Sequence, residues 1–264
     1  MKILYGILAF LMISLPLQAQ EYSWESVRMD GSRTGRTLGT MKRGRYVASD
    51  GKTFPKKSAV SAVAEIVIEA QPYMARVKEV IAYSPEAMEV EYPEGPLSNW
   101  FVDILMKKVE EISGRHVDIG ISNFGGIRVD MPQGDVILDD MLSMFPFKNQ
   151  LVYVELKGSV VRGILESMAS GRFQVLGGVR VVAEDGKIVS ATVGGDPLDD
   201  DKVYGVATIS FLLYGGDNLA LAEGAESVTK FDVDIIDAVL EHVRAETAAG
   251  RHIVSKSDGR VVIR

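Results

Sequence analysis

The segment Ser122-Asn123-Phe124-Gly125-Gly126-Ile127-Arg128 carries residue types suited to holding an anion. Adjacent glycines let the backbone turn tightly and bring N–H groups close to a charged oxygen. The Arg128 guanidinium can grip a phosphate or carboxylate through two parallel hydrogen bonds. Taken alone, the pattern is also that of a Gly-Gly turn followed by a surface arginine. Metal chemistry finds little support in the chain. His116, His242 and His252 are far apart, no HxH, HExxH or GNHE run occurs, and there is no cysteine. Asp199-Asp200-Asp201 sits in a Pro/Gly turn, and Asp232, Asp234 and Asp237 stand where a helix is expected to begin. Capping and helix-dipole complementarity account for both clusters without a metal. No P-loop, GxSxG elbow or dinucleotide fingerprint is present.

The elements that must position such residues follow from hydrophobic spacing. The first 20 residues have a short basic start, the apolar run 3–17 and a small residue at Ala19, which reads as a secretory signal peptide rather than a stable membrane anchor, because Gly6 and Pro16 interrupt it. An exported, periplasmic or extracellular protein is therefore expected. Residues 21–57, rich in Gly, Ser, Thr and Arg, read as an N-terminal arm with a hairpin at Asp50-Gly51. Apolar residues at three- and four-residue spacing predict a long helix over 58–82, kinked or split by Pro72, and a second helix over 97–112. Beyond it the pattern alternates: strands at 116–122, 150–156, 173–182, 188–193, 203–209 and 261–264, and helices at 138–145, 159–169 and 233–248. Glu184-Asp185-Gly186-Lys187 marks a hairpin between two of these strands. The mixture predicts an α+β, mixed-sheet layered domain over 58–264 rather than a doubly wound parallel sheet. With 264 residues, 47% hydrophobic, the chain is long enough for a sizeable core, and a disordered or collagen-like protein is excluded. A net charge of −7 argues against a nucleic-acid polymer as partner.

Beyond the glycine pair come Pro146-Phe147-Lys148-Asn149 and Phe211-Leu212-Leu213-Tyr214-Gly215-Gly216-Asp217-Asn218. With GGIR, the PLSN piece at 96–99, the QVLGG run at 174–178 and VYGVAT at 203–208, their order and spacing resemble the C-terminal, substrate-binding domain of the 5′-nucleotidase family over residue 58 to the C-terminus. The resemblance implies that Arg128 contacts the phosphate end of a nucleotide or nucleoside ligand. It also implies that Phe147 and Phe211 hold the base between two aromatic faces, each stacked base being worth about 1–3 kcal/mol. Asn149 would bond the base edge, Asp217 would accept from the ribose hydroxyls, and Gly177 would line the pocket where a side chain would block it. The plainer readings are that phenylalanines after strands belong to the core and that an aspartate behind two glycines only shapes a turn.

Two departures from the family matter. Full-length members carry a metallophosphatase domain, which residues 21–57 are too short to encode, so no cofactor is expected in this chain and divalent metals only in a partner phosphatase subunit. Some relatives also place two arginines just before the second helix to bind phosphate. Here that stretch, Met88-Glu89-Val90-Glu91-Tyr92-Pro93-Glu94, is acidic, and Lys148 stands where the family usually has glycine. The reading is thus the recognition domain of a split 5′-nucleotidase acting in nucleotide catabolism, not catalytic alone. The alternatives are a stand-alone nucleoside- or nucleotide-binding module and a domain that keeps the fold without the ligand.

Overall fold

The computed structural model describes residues 38–264, so the expected signal peptide and most of the expected arm lie outside the described residues. The chain divides into two compact units, Met1–Ile68 and Glu69–Arg264.

In the first unit, β1 (Thr40–Lys42), β2 (Arg45–Val47) and β3 (Thr53–Phe54) form an antiparallel sheet in that order. Arg43 and Gly44 join β1 to β2 with φ of 50° and 75°, the two left-handed residues that a tight hairpin demands. The expected hairpin at Asp50-Gly51 is the β2–β3 connection, where the Asp50 carboxylate accepts from the Lys52 N–H at 3.0 Å. Helix α1 (Ala59–Met74) starts behind Ser58, whose hydroxyl accepts from the Ser61 N–H at 3.1 Å. It ends two residues beyond Pro72 instead of running on to residue 82. Proline removes one backbone donor, and the β-branched run that follows pairs elsewhere as β4 (Val80–Ser84).

In the second unit, β4 pairs antiparallel with β5 (Gly134–Ile137), and between them lie α2 (Pro96–Ser113) and β6 (Ile119–Ser122). Numbered on in chain order of use are α3 (Leu138–Met144), β7 (Gln150–Lys157), α4 (Gly158–Ser170), β8 (Val175–Gly177), β9 (Val179–Glu184), β10 (Lys187–Val193), β11 (Asp196–Pro197), β12 (Val203–Ile209), β13 (Ala225–Asp234), α5 (Ile235–Ala248) and β14 (Val261–Ile263). The central sheet has the order β13-β7-β12-β6-β8, with β12 and β6 parallel and the other pairs antiparallel. A second sheet has the order β11-β10-β9-β14. The α+β expectation with mixed sheets therefore describes the fold.

Helix α2 lies over the central sheet. Proline at its first position, the Ser98 hydroxyl accepting from the Gly95 N–H at 3.0 Å, and left-handed Gly114 at φ 64° set its limits. It comes close because Gly120 and Gly177, paired across β6 and β8, leave room: a Cβ on either would stand 2.7 Å from Met106. Beneath it Phe101 and Phe145 meet at 4.6 Å between ring centroids. Leu97, Phe101 and Leu105 are buried with Ile119, Leu151 and Val206 of the sheet, each such side chain stabilising the fold by roughly 1.5–3 kcal/mol. Arg260, just before β14, is almost fully buried and grips Asp103 of α2 at 2.9 and 3.2 Å and Asp258 at 3.0 and 3.1 Å.

The expected single strand over 173–182 is two strands in two sheets. Gly178, at φ 70°, turns the chain from β8 to β9, and a Cβ there would stand 2.1 Å from the Asp118 carbonyl oxygen. The expected helix from 233 begins at Ile235, because residues 225–234 complete the edge strand β13.

Candidate functional site

The register of the central sheet sends several chain segments to one end. Strands β6 and β12 run parallel, so Ser122 and Ile209 finish together, and β7 starts beside them, with Leu151 opposite Ile209. The antiparallel β8 starts there too, with Val175 opposite Ser122. The turn after β6 (123–128), the loop before β7 (145–149), the turn after β12 (210–218) and the approach to β8 (171–174) therefore share one edge. Arg128, Phe147, Asn149, Phe211 and Asp217 all lie in these segments.

The first turn is a single 3-10 turn, Phe124–Gly126. A Cβ on Gly126 would meet the Asn123 Oδ1 at 2.7 Å, so the glycine is what lets Asn123 fold back over the turn. Arg128 is exposed; its backbone N–H donates to the Met144 carbonyl at 3.0 Å and its Nη1 to the Gly125 carbonyl at 3.3 Å. Its guanidinium lies 5.9 Å from the centroid of Phe147, at the outer reach of a cation–ring contact. Phe147 and Phe211 are 47% and 46% exposed, so neither belongs to the core, although each adjoins a buried strand.

The turn after β12 is built around backbone that glycine, asparagine and aspartate tolerate. Gly215, Asp217 and Asn218 have φ of 105°, 48° and 62°. Gly216 lies so close to Phe211 that a Cβ would stand 2.2 Å from its carbonyl oxygen and 2.8 Å from its ring. The exposed Asp217 carboxylate accepts from the Asn123 Nδ2 at 2.7 Å, which ties this turn to the one after β6. Gln150, at the start of β7, donates its N–H to the Ser210 hydroxyl at 3.1 Å and joins the third segment.

Asn149 is half-buried before β7, its carbonyl accepting from the Ile235 N–H at 3.0 Å. Its side-chain amide has no hydrogen-bond partner among the described residues. Gly177 stands apart from this group. The space a side chain would need there is filled by Met106 and Val102 of α2, so helix packing, rather than a ligand, accounts for the glycine.

Sequence reasoning missed two groups. Asn123 was visible beside the glycines, but its tie to Asp217 joins residues 94 positions apart. Tyr92, in the acidic stretch before α2, makes an edge contact with Phe124 at 5.9 Å and carries the Arg172 guanidinium 4.7 Å above its ring. Three oxygens at this end of the sheet, Ser122 Oγ, Asn123 Oδ1 and Thr208 Oγ1, are buried without a hydrogen-bond partner. Leaving such a group unpaired costs about 1–3 kcal/mol unless something polar reaches it. Among the described residues no three His, Cys, Asp or Glu side chains are grouped to hold a metal ion. No described helix is long and apolar enough to cross a membrane.

Residues 73–223 match the model of the 5′-nucleotidase, C-terminal domain. The Silent protein UshA(0) of Salmonella typhimurium (strain LT2) is 35% identical over 112 residues, 40% of this chain and 20% of that protein. The Trifunctional nucleotide phosphoesterase protein YfkN of Bacillus subtilis (strain 168) is 27% identical over 207 residues, 69% of this chain and 14% of its own length. The chain thus spans about a fifth or less of these relatives. Among solved structures, a 5′-nucleotidase precursor from Thermus thermophilus shares the fold with a TM-score of 0.66 at 22% identity, over 77% of this chain and 43% of that one.

Proposed function

We propose, given that this chain belongs to the 5′-nucleotidase C-terminal domain family, that it is the nucleotide-recognition part of a split 5′-nucleotidase in nucleotide catabolism. A separate metallophosphatase chain carries out the hydrolysis of the phosphate ester. Residues 1–20 export the protein to the periplasm or beyond, residues 21–57 form an arm, and residues 58–264 are the recognition domain. Arg128, Phe147, Asn149, Phe211 and Asp217 form its ligand site.

One observation carries this reading: a single end of the central sheet gathers an exposed arginine, two half-exposed phenylalanines and a carboxylate tied to a neighbouring turn. Aromatic faces suit a base, a carboxylate suits ribose hydroxyls, and a guanidinium beside a glycine turn suits phosphate. The role of the described residues is to hold and orient a nucleotide, with no chemical step of their own.

The first unit supports a protein partner. Helix α1 is apolar along most of its length yet largely exposed, with Val63 60% and Ile66 69% open to solvent. An apolar helix in that state calls for a cover. Over residues 38–68, Lys42, Arg43, Arg45, Lys52, Lys56 and Lys57 outnumber Asp50 and Glu65, in a chain whose net charge is −7. A phosphatase surface with an apolar centre and an acidic rim fits this combination.

The test is AMP hydrolysis. The purified chain alone is expected to release no phosphate, and a metallophosphatase chain encoded beside it is expected to gain 5′-nucleotidase activity on mixing. Nucleotide binding without gain of activity with any such chain would favour a stand-alone binding module instead.

A further inference from the structure

Arg172, Phe173 and Gln174 are fastened one after another to Tyr92 and Phe124 beside the glycine turn. The Arg172 guanidinium lies 4.7 Å above Tyr92, the Phe173 N–H donates to the Tyr92 hydroxyl at 3.3 Å, and the Gln174 Oε1 accepts from the Phe124 N–H at 3.4 Å. Phe124 opens the turn whose Gly125 carbonyl accepts from Arg128. The position of Arg172 relative to that turn is thus set by three successive contacts rather than by a free surface loop.

Arg172 makes no ion pair among the described residues, although it hangs over a segment containing Glu89, Glu91 and Glu94. Arg128 is likewise without a carboxylate partner among the described residues, and its guanidinium also lies over a ring, that of Phe147. Both guanidinium groups lie near aromatic faces and are joined by contacts to one glycine turn; Arg128 spends one N–H on the Gly125 carbonyl and keeps the others for a ligand, and the Arg172 guanidinium makes no hydrogen bond among the described residues. A planar guanidinium edge can donate two parallel hydrogen bonds to two oxygens of one phosphate. Stacking on a ring restrains the long side chain, so less freedom is lost when the anion binds.

We propose that Arg172 is a second phosphate-contacting residue of the pocket, which sets its preference for a phosphorylated nucleoside over a free one. The inference rests on the nucleotide pocket proposed above and adds to it a residue from a different loop. In this arrangement the phosphate lies toward the Phe124–Gly126 turn, to which both arginines are joined through contacts, while the base lies toward Phe147 and Phe211.

Calorimetric titration of the full chain with AMP and with adenosine tests this. The wild type is expected to bind AMP at least tenfold more tightly than adenosine. Arg172→Ala is expected to lose most of that ratio while adenosine affinity stays within about twofold, and Arg172→Lys, which keeps the charge, is expected to retain part of it. Circular dichroism confirms that each variant is folded. An unchanged AMP-to-adenosine ratio in Arg172→Ala, or an equal loss for both ligands, overturns the role of Arg172 and leaves the pocket standing. Equal wild-type affinity for the two ligands does the same. A wild type that binds neither ligand overturns the pocket and this inference together.

Discussion

Asp217 shows how one residue of the site is held. Its left-handed backbone, at φ 48°, is a conformation sparsely used outside glycine, asparagine and aspartate, and its carboxylate is fixed by Asn123 at 2.7 Å. Asn123→Ala is expected to free the carboxylate and weaken adenosine binding severalfold, while inosine and adenosine, which share the ribose, lose affinity alike. Calorimetry with the two nucleosides checks this. Gly216→Ala, whose new methyl would collide with both the Phe211 carbonyl oxygen and its ring, is expected to weaken binding of both nucleosides and to lower the melting temperature. Arg128, Phe147, Phe211 and Asp217 could be proposed from residue type and order along the chain alone, and all four lie at one end of the sheet. Asn123 and Arg172 were not, because what matters about each is a partner remote in sequence, Asp217 or Tyr92. Gly177 has Met106 and Val102 of α2 as close neighbours, which the sequence did not show. A sequence shows that a glycine is present but not which body, ligand or helix, fills the space beside it.

At the scale of elements, short turn signals were read well and long-range pairing was not. Asp185 and Gly186, at φ 48° and 73°, make the hairpin that the Asp-Gly step announced. Strands β4, β5 and β13 were overlooked because their apolar patterns are short or broken and their pairing depends on partners far along the chain. Gly178 looked like an ordinary strand residue but changes the sheet to which the chain belongs. Gly178→Ala is expected to destabilise the protein by more than about 2 kcal/mol in urea unfolding, since it combines left-handed strain with a backbone clash. Helix α5 provides a pH test. Arg251 grips Glu246 at 2.5 and 2.8 Å, and this hydrogen bonding holds the carboxyl down at about 2, against an ordinary 4.5. A lowered folded value means that the pair's contribution is complete above the unfolded value and is lost as pH falls from about 4.5 to about 2. Glu246→Gln is therefore expected to lower the melting temperature slightly at pH 7, with the two curves converging toward pH 2. Because the pair is exposed, added salt should shrink the difference.

The whole molecule combines a domain of the 5′-nucleotidase C-terminal family, which covers a small part of the length of its relatives, with a basic unit that carries a largely exposed apolar helix. If α1 is the partner's seat, Val63→Glu with Ile66→Glu is expected to abolish the activity gained on mixing with the phosphatase chain. Adenosine binding by the same variant should be unchanged. The central claim is that one end of the five-stranded sheet holds a nucleotide between Phe147 and Phe211, and calorimetric titration of AMP into the wild type and Phe147→Ala tests it most directly. The account predicts saturable micromolar binding by the wild type and a loss of about 1–3 kcal/mol in the variant. The same affinity in both proteins, or none in the wild type, would contradict it.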